Sequence, residues 1–222
     1  VELIDPSHHP KYDEYAKTYL NMMQRRGLTP TTIHEVLSTS PTATAALAVA
    51  CGDADAMICG VTGRYLNHLR HITDVIGRRK DVKQLSAMSA LILSKGTFFI
   101  TDTHVNDDPT AEELAETTCL AAEAMRNFSF EPKVALISHS NFGSLSTPSA
   151  RKMREVLRLT KERCKDDDLM VEGEMRMDLA MSAELRTEIF PDSKLVGQAN
   201  LLVMPNLDTA NSTFNMVKNI GD

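Results

Sequence analysis

Tryptophan is absent from the 222 residues, and aromatic residues together make up only 5%. That scarcity excludes an aromatic platform on which single-stranded nucleic acid would stack. Positive charge is also short. Lys and Arg number 24 against 30 Asp and Glu, a formal net charge of −6, so no general nucleic-acid partner is expected. No apolar run approaches the roughly 18 residues that cross a bilayer. The opening Val1-Glu2-Leu3-Ile4-Asp5-Pro6 lacks the basic and apolar blocks of a secretory signal. The chain therefore reads as cytoplasmic, with no membrane partner. Its four cysteines, Cys51, Cys59, Cys119 and Cys164, form no CxxC pair, which removes zinc-ribbon and thioredoxin chemistry. They are expected as reduced, mostly buried thiols.

Other chemistries fail for want of parts. Neither GxGxxG nor a GxxxxGKS/T loop occurs, so no hydride-transfer domain or P-loop is expected within this chain. Asp102 with His104, and Ser138 with His139, hint at a hydrolase, but no GxSxG elbow accompanies them. His68 and His71 stand i, i+3 without a third ligand, so no zinc site is expected. Glu172, Glu174 and Asp178 cluster after a strand, where an acidic helix cap explains them better than a magnesium site. No metal site is assigned, and no catalytic residue.

What remains is a chain that is 42% hydrophobic and holds 12 methionines, enough for an aliphatic, methionine-filled core. Helical spacing runs over Lys11 to Arg26 and stops at Gly27; Thr29-Pro30 and Ser40-Pro41 open two further helices. Ala56 to Gly60 is a short apolar run that fits a buried parallel strand, followed by a helix over Tyr65 to Ile76. The texture changes from Leu85, so a subdomain change is placed near residues 80–90. Ala87 to Leu93 and Thr97 to Thr101, split by Lys95-Gly96, read as a hairpin. Strands at 133–138, 169–172 and 199–204 then alternate with helices at 108–127, 148–163, 178–189 and 208–219. Lys165-Asp166-Asp167-Asp168 reads as a solvated loop. The alternation predicts an α/β fold with a largely parallel sheet flanked by helices. The chain opens on Val1 and closes on Ile220-Gly221-Asp222 straight after a helix, so residues 1–222 are expected to be one domain truncated at both ends.

In open α/β sheets, ligands sit at the carboxyl ends of the strands. Four segments there are rich in hydroxyl, amide and Gly residues: Gly60 to Tyr65, Thr101 to Asn106, Ser138 to Ser144, and Pro205 to Asn211. Such loops entering helices offer backbone N–H groups and hydroxyls to an anion, and Arg64 and Arg70 add charge. Together they predict a cleft for a phosphorylated or carboxylated ligand. Taken singly, each loop is ordinary helix capping, so the prediction depends on their sharing one edge.

The segments Val105-Asn106, Asp108-Pro109-Thr110-Ala111-Glu112, Pro132 to Leu136, and Pro205-Asn206-Leu207-Asp208 with Asn211 resemble the phosphate acetyl/butyryltransferase family. Ala54 to Gly60, Gly63-Arg64-Tyr65, His68 to His71, Asp74 to Gly77, Ser138 to Ser144 and Pro148 to Arg154 narrow the likeness. They resemble the carboxy-terminal, phosphotransacetylase-like domain of bacterial NADP-dependent malic enzymes. The resemblance covers essentially the whole chain. It implies two α/β subdomains with a cleft between them, assembly into at least a dimer, and acetyl-CoA as an effector that inhibits malate decarboxylation. NADP and magnesium or manganese would belong only to a malic enzyme part outside this chain. Arg70, Asn106, Ser138, Ser140, Gly143, Ser144, Asp178, Asp208 and Asn211 fall on the family's ligand-facing positions; Thr103, Asn141 and Arg64 join them from the loops. A Ser-Arg-Gly segment typical of the transferases is missing from this sequence, and with it a family catalytic arginine. Acetyl transfer between thiolate and phosphate needs a cationic or N–H clamp and a base. Arg64 or Arg70 could clamp phosphate, but no Cys, Lys or Asp stands out as the base. The leading expectation is therefore a regulatory acetyl-CoA-binding domain; the alternatives are an active phosphate acetyltransferase and a structural oligomerisation domain.

Overall fold

The computed structural model describes residues 5–164 and 168–221. Lys165, Asp166 and Asp167 of the acidic loop lie outside the described residues. The chain divides into two compact units, Val1–Asp81 and Val82–Asp222.

The first unit is helical. It holds α1 (Tyr12–Met23), α2 (Pro30–Thr39), α3 (Pro41–Ala50) and α4 (Tyr65–Val75). Thr29 and Ser40 each accept a backbone N–H of the helix they open, from Thr32 and Ala43, with Pro at the next position. That pairing satisfies a first-turn donor while proline pre-sets the backbone. Tyr15, Tyr19 and Met23 form a stripe on α1 that buries against Ile33, Leu37, Leu47 and Val75. Each fully buried side chain of this size is worth about 1.5–3 kcal/mol. The strand expected at Ala56 to Gly60 is not formed. Among the described residues the first unit contains no strand to pair with it, so its backbone cannot join a ladder. Ile58 is fully exposed, at 100%. A short apolar run can suit either a buried strand or an exposed loop, and here pairing decides.

The second unit contains β1 (Met88–Leu93), β2 (Gly96–Thr101), α5 (Ala111–Asn127), β3 (Lys133–Ile137), α6 (Pro148–Arg163) and β4 (Met170–Met175). These are followed by α7 (Met177–Met181), α8 (Ala183–Ile189), β5 (Leu201–Val203) and α9 (Leu207–Ile220). The five strands form one sheet in the order β1-β2-β5-β3-β4. The β1–β2 hairpin is antiparallel, while β2, β5, β3 and β4 run parallel. Central β3 and β5 carry near-continuous apolar runs because both sheet faces are covered. Ile100, Ala135 and Leu202 turn to one face, against Leu179, Ala180 and Ala210. Phe99, Val134, Leu136, Leu201 and Val203 turn to the other, against Leu114, Met125, Met153 and Val156 of α5 and α6. The result is a mixed α/β layering with a mostly parallel sheet.

Two further expectations change. The helix expected over 178–189 is broken at Ser182, which ends α7 and caps α8 by accepting Leu185 N–H. Cys119 and Cys164 are joined as a disulfide rather than free, because α5 and α6 lie side by side; Cys51 is half-buried and Cys59 exposed.

Candidate functional site

Because four strands run parallel, the loops leaving β2, β3, β4 and β5 emerge along one edge of the sheet. Buried carboxylates organise two of them.

Asp102, 4% exposed, follows β2. Its Oδ1 accepts the N–H groups of Ala87, His104 and Val105 at 3.0–3.1 Å. Its Oδ2 accepts Asn106 N at 3.0 Å and Asn106 Nδ2 at 2.6 Å. These bonds bend the chain back over its own strand end and satisfy donors that would otherwise be buried unpaired. Thr103 is fully buried, its hydroxyl 2.6 Å from Ser89 Oγ.

Glu174, 0% exposed, serves the loop after β3. Its Oε1 accepts Ser140 Oγ at 2.7 Å, Gly143 N at 3.1 Å and Arg154 Nη1 at 2.9 Å. Glu174 reaches this place because the β3–β4 register shifts between Leu136 and Ile137: Leu136 faces Gly173 and Ile137 faces Met175, leaving Glu174 out of the pairing. A bulge of this kind re-aims a side chain. Gly173 fits the bulge at φ +148°, and a Cβ there would lie 2.8 Å from Leu136 Cβ. Ser140 Oγ also lies 3.2 Å from Ser144 Oγ, and Ser144 Oγ accepts Asn141 N at 3.0 Å. Ser138 Oγ accepts Ser140 N at 3.3 Å, and Gly143 turns the loop at φ +89°.

The loops are also tied to one another. Asn141 Oδ1 accepts Arg176 N at 2.8 Å, joining the β3 and β4 loops. Asn211 Nδ2 donates to Thr103 O at 3.2 Å, joining α9 to the β2 loop. Lys152 Nζ donates to Asp108 Oδ1, Pro109 O and Pro205 O at 2.6–3.1 Å, holding the β2 and β5 loops from the first turns of α6. Asp178 is exposed and pairs with Arg176, whose hydrogen bond holds the carboxyl below its ordinary range. Asp208, exposed in the first turn of α9, follows Asn206, which caps that helix by accepting Thr209 N–H at 2.9 Å.

The second unit thus brings Thr103, Asn106, Ser138, Ser140, Asn141, Gly143, Ser144, Asp178, Asp208 and Asn211 to one sheet edge. Thr103 and Ser140 are internal ties, whereas Asn141, Gly143, Ser144, Asp178 and Asp208 reach the surface or lie half-buried at it. Arg64 and Arg70 belong to the first unit. Arg64 precedes α4 with its side chain exposed, and Arg70 lies 3.7 Å from Asp74, 76% exposed. Residue patterns alone miss Lys152 and Arg154; they pair Asp102 only with His104 and read Glu174 as part of an acidic helix cap, whereas Glu174 lies within β4 and bonds the β3 loop. One signal was available for Glu174: a carboxylate inside the apolar strand Met170–Met175 must be bonded if buried. Glu172 accepts Gly173 N and Lys194 N, so the acidic cluster serves the loops. Among the described residues no group of three or more His, Cys, Asp or Glu is placed to hold a metal ion, and no helix is long and apolar enough to cross a membrane.

A family model described as phosphate acetyl/butaryl transferase matches residues 1–222. The chain belongs to this family. It is 47% identical over 221 residues to the NAD-dependent malic enzyme of Rhizobium meliloti, covering 100% of this chain. It is 46% identical over 217 residues to the NADP-dependent malic enzyme of Escherichia coli, covering 98% of this chain. The chain spans 28% of the length of each of these curated relatives, in the carboxy-terminal part of the NADP-dependent enzymes. The EutD phosphotransacetylase from Staphylococcus aureus shares the fold, with a TM-score of 0.83 at 23% identity, over 99% of this chain and 67% of that one.

Proposed function

We propose that this phosphate acetyl/butaryl transferase family domain is an acyl-CoA sensor within a malic enzyme, with acetyl-CoA as effector. One observation carries the reading: the polar loops after four parallel strands share a sheet edge and are cross-tied by Lys152, Asn141 and Asn211. Ties of this kind fix the shape of the loops in advance, which lowers the ordering cost of binding a phosphorylated ligand at their rim. Binding needs only such a cradle and an apolar slot for the thioester arm, whereas turnover also needs a base positioned on the reacting thiol. Arg64 and Arg70, which belong to the first unit, are proposed as phosphate contacts from the sequence and its family resemblance alone. The malate-oxidising chemistry, its NAD or NADP and its divalent metal would belong to the part of the enzyme outside this chain, and assembly is proposed to be at least dimeric.

A sensor must bind its effector differently in two states, typically by about 1–3 kcal/mol, or 5- to 150-fold. Acetyl-CoA titrated into the intact malic enzyme, with reduced nicotinamide followed by absorbance, is expected to lower the rate within that range. Unchanged kinetics at saturating acetyl-CoA would remove the sensor reading. The likeness to a phosphotransacetylase fold favours a second reading, a working acetyltransferase. Turnover of acetyl phosphate with coenzyme A by the intact enzyme, lost in Arg70→Ala, would select it.

A further inference from the structure

α5 and α6 pack side by side on one face of the sheet, and a covalent tie joins them where α6 ends. Cys164 directly follows α6, and its sulfur is bonded to Cys119 of α5, with Cα atoms 6.4 Å apart. That separation lies within the range a disulfide bridges without moving the backbone. The residues beside the two cysteines form a second tie at the same corner. Arg163 Nη2 donates to Glu116 Oε1 at 2.5 Å, and Glu116 is itself buried, one helical turn before Cys119. This ion pair holds the end of α6 against α5 whether or not the sulfurs are joined. Both cysteines are half-buried, so neither is sealed from a small reagent.

We propose that Cys119 and Cys164 form a reversible redox modification site, exchanging with a small-molecule disulfide of the glutathione class. One cysteine thiolate attacks a sulfur of oxidised glutathione, forming a mixed disulfide and expelling one glutathione thiolate. The second cysteine, as thiolate, attacks the protein sulfur of that mixed disulfide and expels the other glutathione. Two protein thiols are oxidised, one glutathione disulfide is reduced to two thiols, and the two cysteine protons pass to the released thiolates. The Arg163–Glu116 pair keeps the reduced sulfurs within reach, so the bond re-forms. The site controls how firmly α6 is held at its far end. The same helix carries Lys152 and Arg154, which hold the loops at the sheet edge.

The test equilibrates the intact protein in oxidised or reduced glutathione, alkylates it natively, and maps the four cysteines by peptide mass spectrometry. Expected are a linked Cys119–Cys164 peptide in the oxidised sample and alkylation of both after native reduction. The linked form should also unfold at higher urea, its folded-to-unfolded ratio raised roughly tenfold to several hundredfold by the closed loop. Cys164→Ser and, should that variant fold poorly, Cys119→Ser should each give one midpoint in both buffers. Alkylation of both cysteines in the oxidised sample would overturn the proposal. So would a linkage that resists millimolar dithiothreitol in the native protein, or variants whose midpoints still follow the redox buffer.

Discussion

Asp102 and Glu174 are acidic residues at positions where an apolar side chain would pack more cheaply, and each converts a strand end into a shaped loop. The cost of taking a carboxylate out of water is offset only by the donors it collects, so removing the charge weakens all of those bonds at once. Glu174→Gln is expected to cost about 2–3 kcal/mol. That is below the range for a sealed ion pair, because Arg154 is one-third exposed. Urea denaturation should show a lower midpoint at constant slope, and amide exchange should rise at Ser140 and Gly143 before it rises in β3. His71 makes a second residue-scale case. Burial disfavours its charged form and pushes its pKa below the ordinary 6.5; nearby Asp74 opposes this, while Arg70 and His68 reinforce it. The unfolded chain then takes up a proton that the folded chain resists, so stability falls as pH drops below about 6.5. Asp53, whose carboxyl is held low by hydrogen bonds from Lys11 and Tyr15, adds its own loss only below its ordinary value of 3.8. His71→Gln should therefore flatten the decline in urea midpoint between pH 7 and pH 5 and leave the decline below pH 4 unchanged.

At the scale of elements, the β3–β4 pair shows how a backbone irregularity places a side chain. Gly173 permits the close approach to Leu136, the register shift follows, and Glu174 leaves the ladder to meet Ser140. Gly173→Ala forces a Cβ against Leu136 Cβ and its carbonyl oxygen in a backbone region that L-residues rarely adopt. Overpacking and backbone strain together should cost about 3 kcal/mol, measurable as a fall in urea midpoint. The same variant should lose protection at Gly143, because the bulge that delivers Glu174 is disturbed. The helices obey simpler rules. Thr110 and Glu113 form a reciprocal capping box at the start of α5, legible from the Thr-Ala-Glu-Glu run itself.

On the scale of the whole molecule, the aromatic residues divide cleanly between the two units. All four tyrosines, Tyr12, Tyr15, Tyr19 and Tyr65, lie before Asp81, and all seven phenylalanines lie after it. Tyrosine fluorescence therefore reports the first unit alone, while far-UV circular dichroism reports both. Among the described residues the first unit rests on one apolar cluster and no sheet, and the second on two clusters astride five strands. The tyrosine transition in urea is expected to precede the completion of the dichroism change. Coincident curves would show that the units unfold as one.

The sequence by itself determined the helices with proline-led caps, the β1–β2 hairpin and the alternation that makes the second unit α/β. Each of these follows from local backbone preference or from the period at which apolar residues recur. It also marked the loops at Thr101 to Asn106, Ser138 to Ser144 and Pro205 to Asn211. Tertiary structure decided whether Ala56 to Gly60 had a strand to pair with, whether Cys119 met Cys164, and which side chains bind the loops together. Lys152 lies far along the chain from Asp108 and Pro205, and Glu174 from Ser140. Contacts between residues so separated leave no periodic trace; they exist only once parallel strands bring their ends to a common edge.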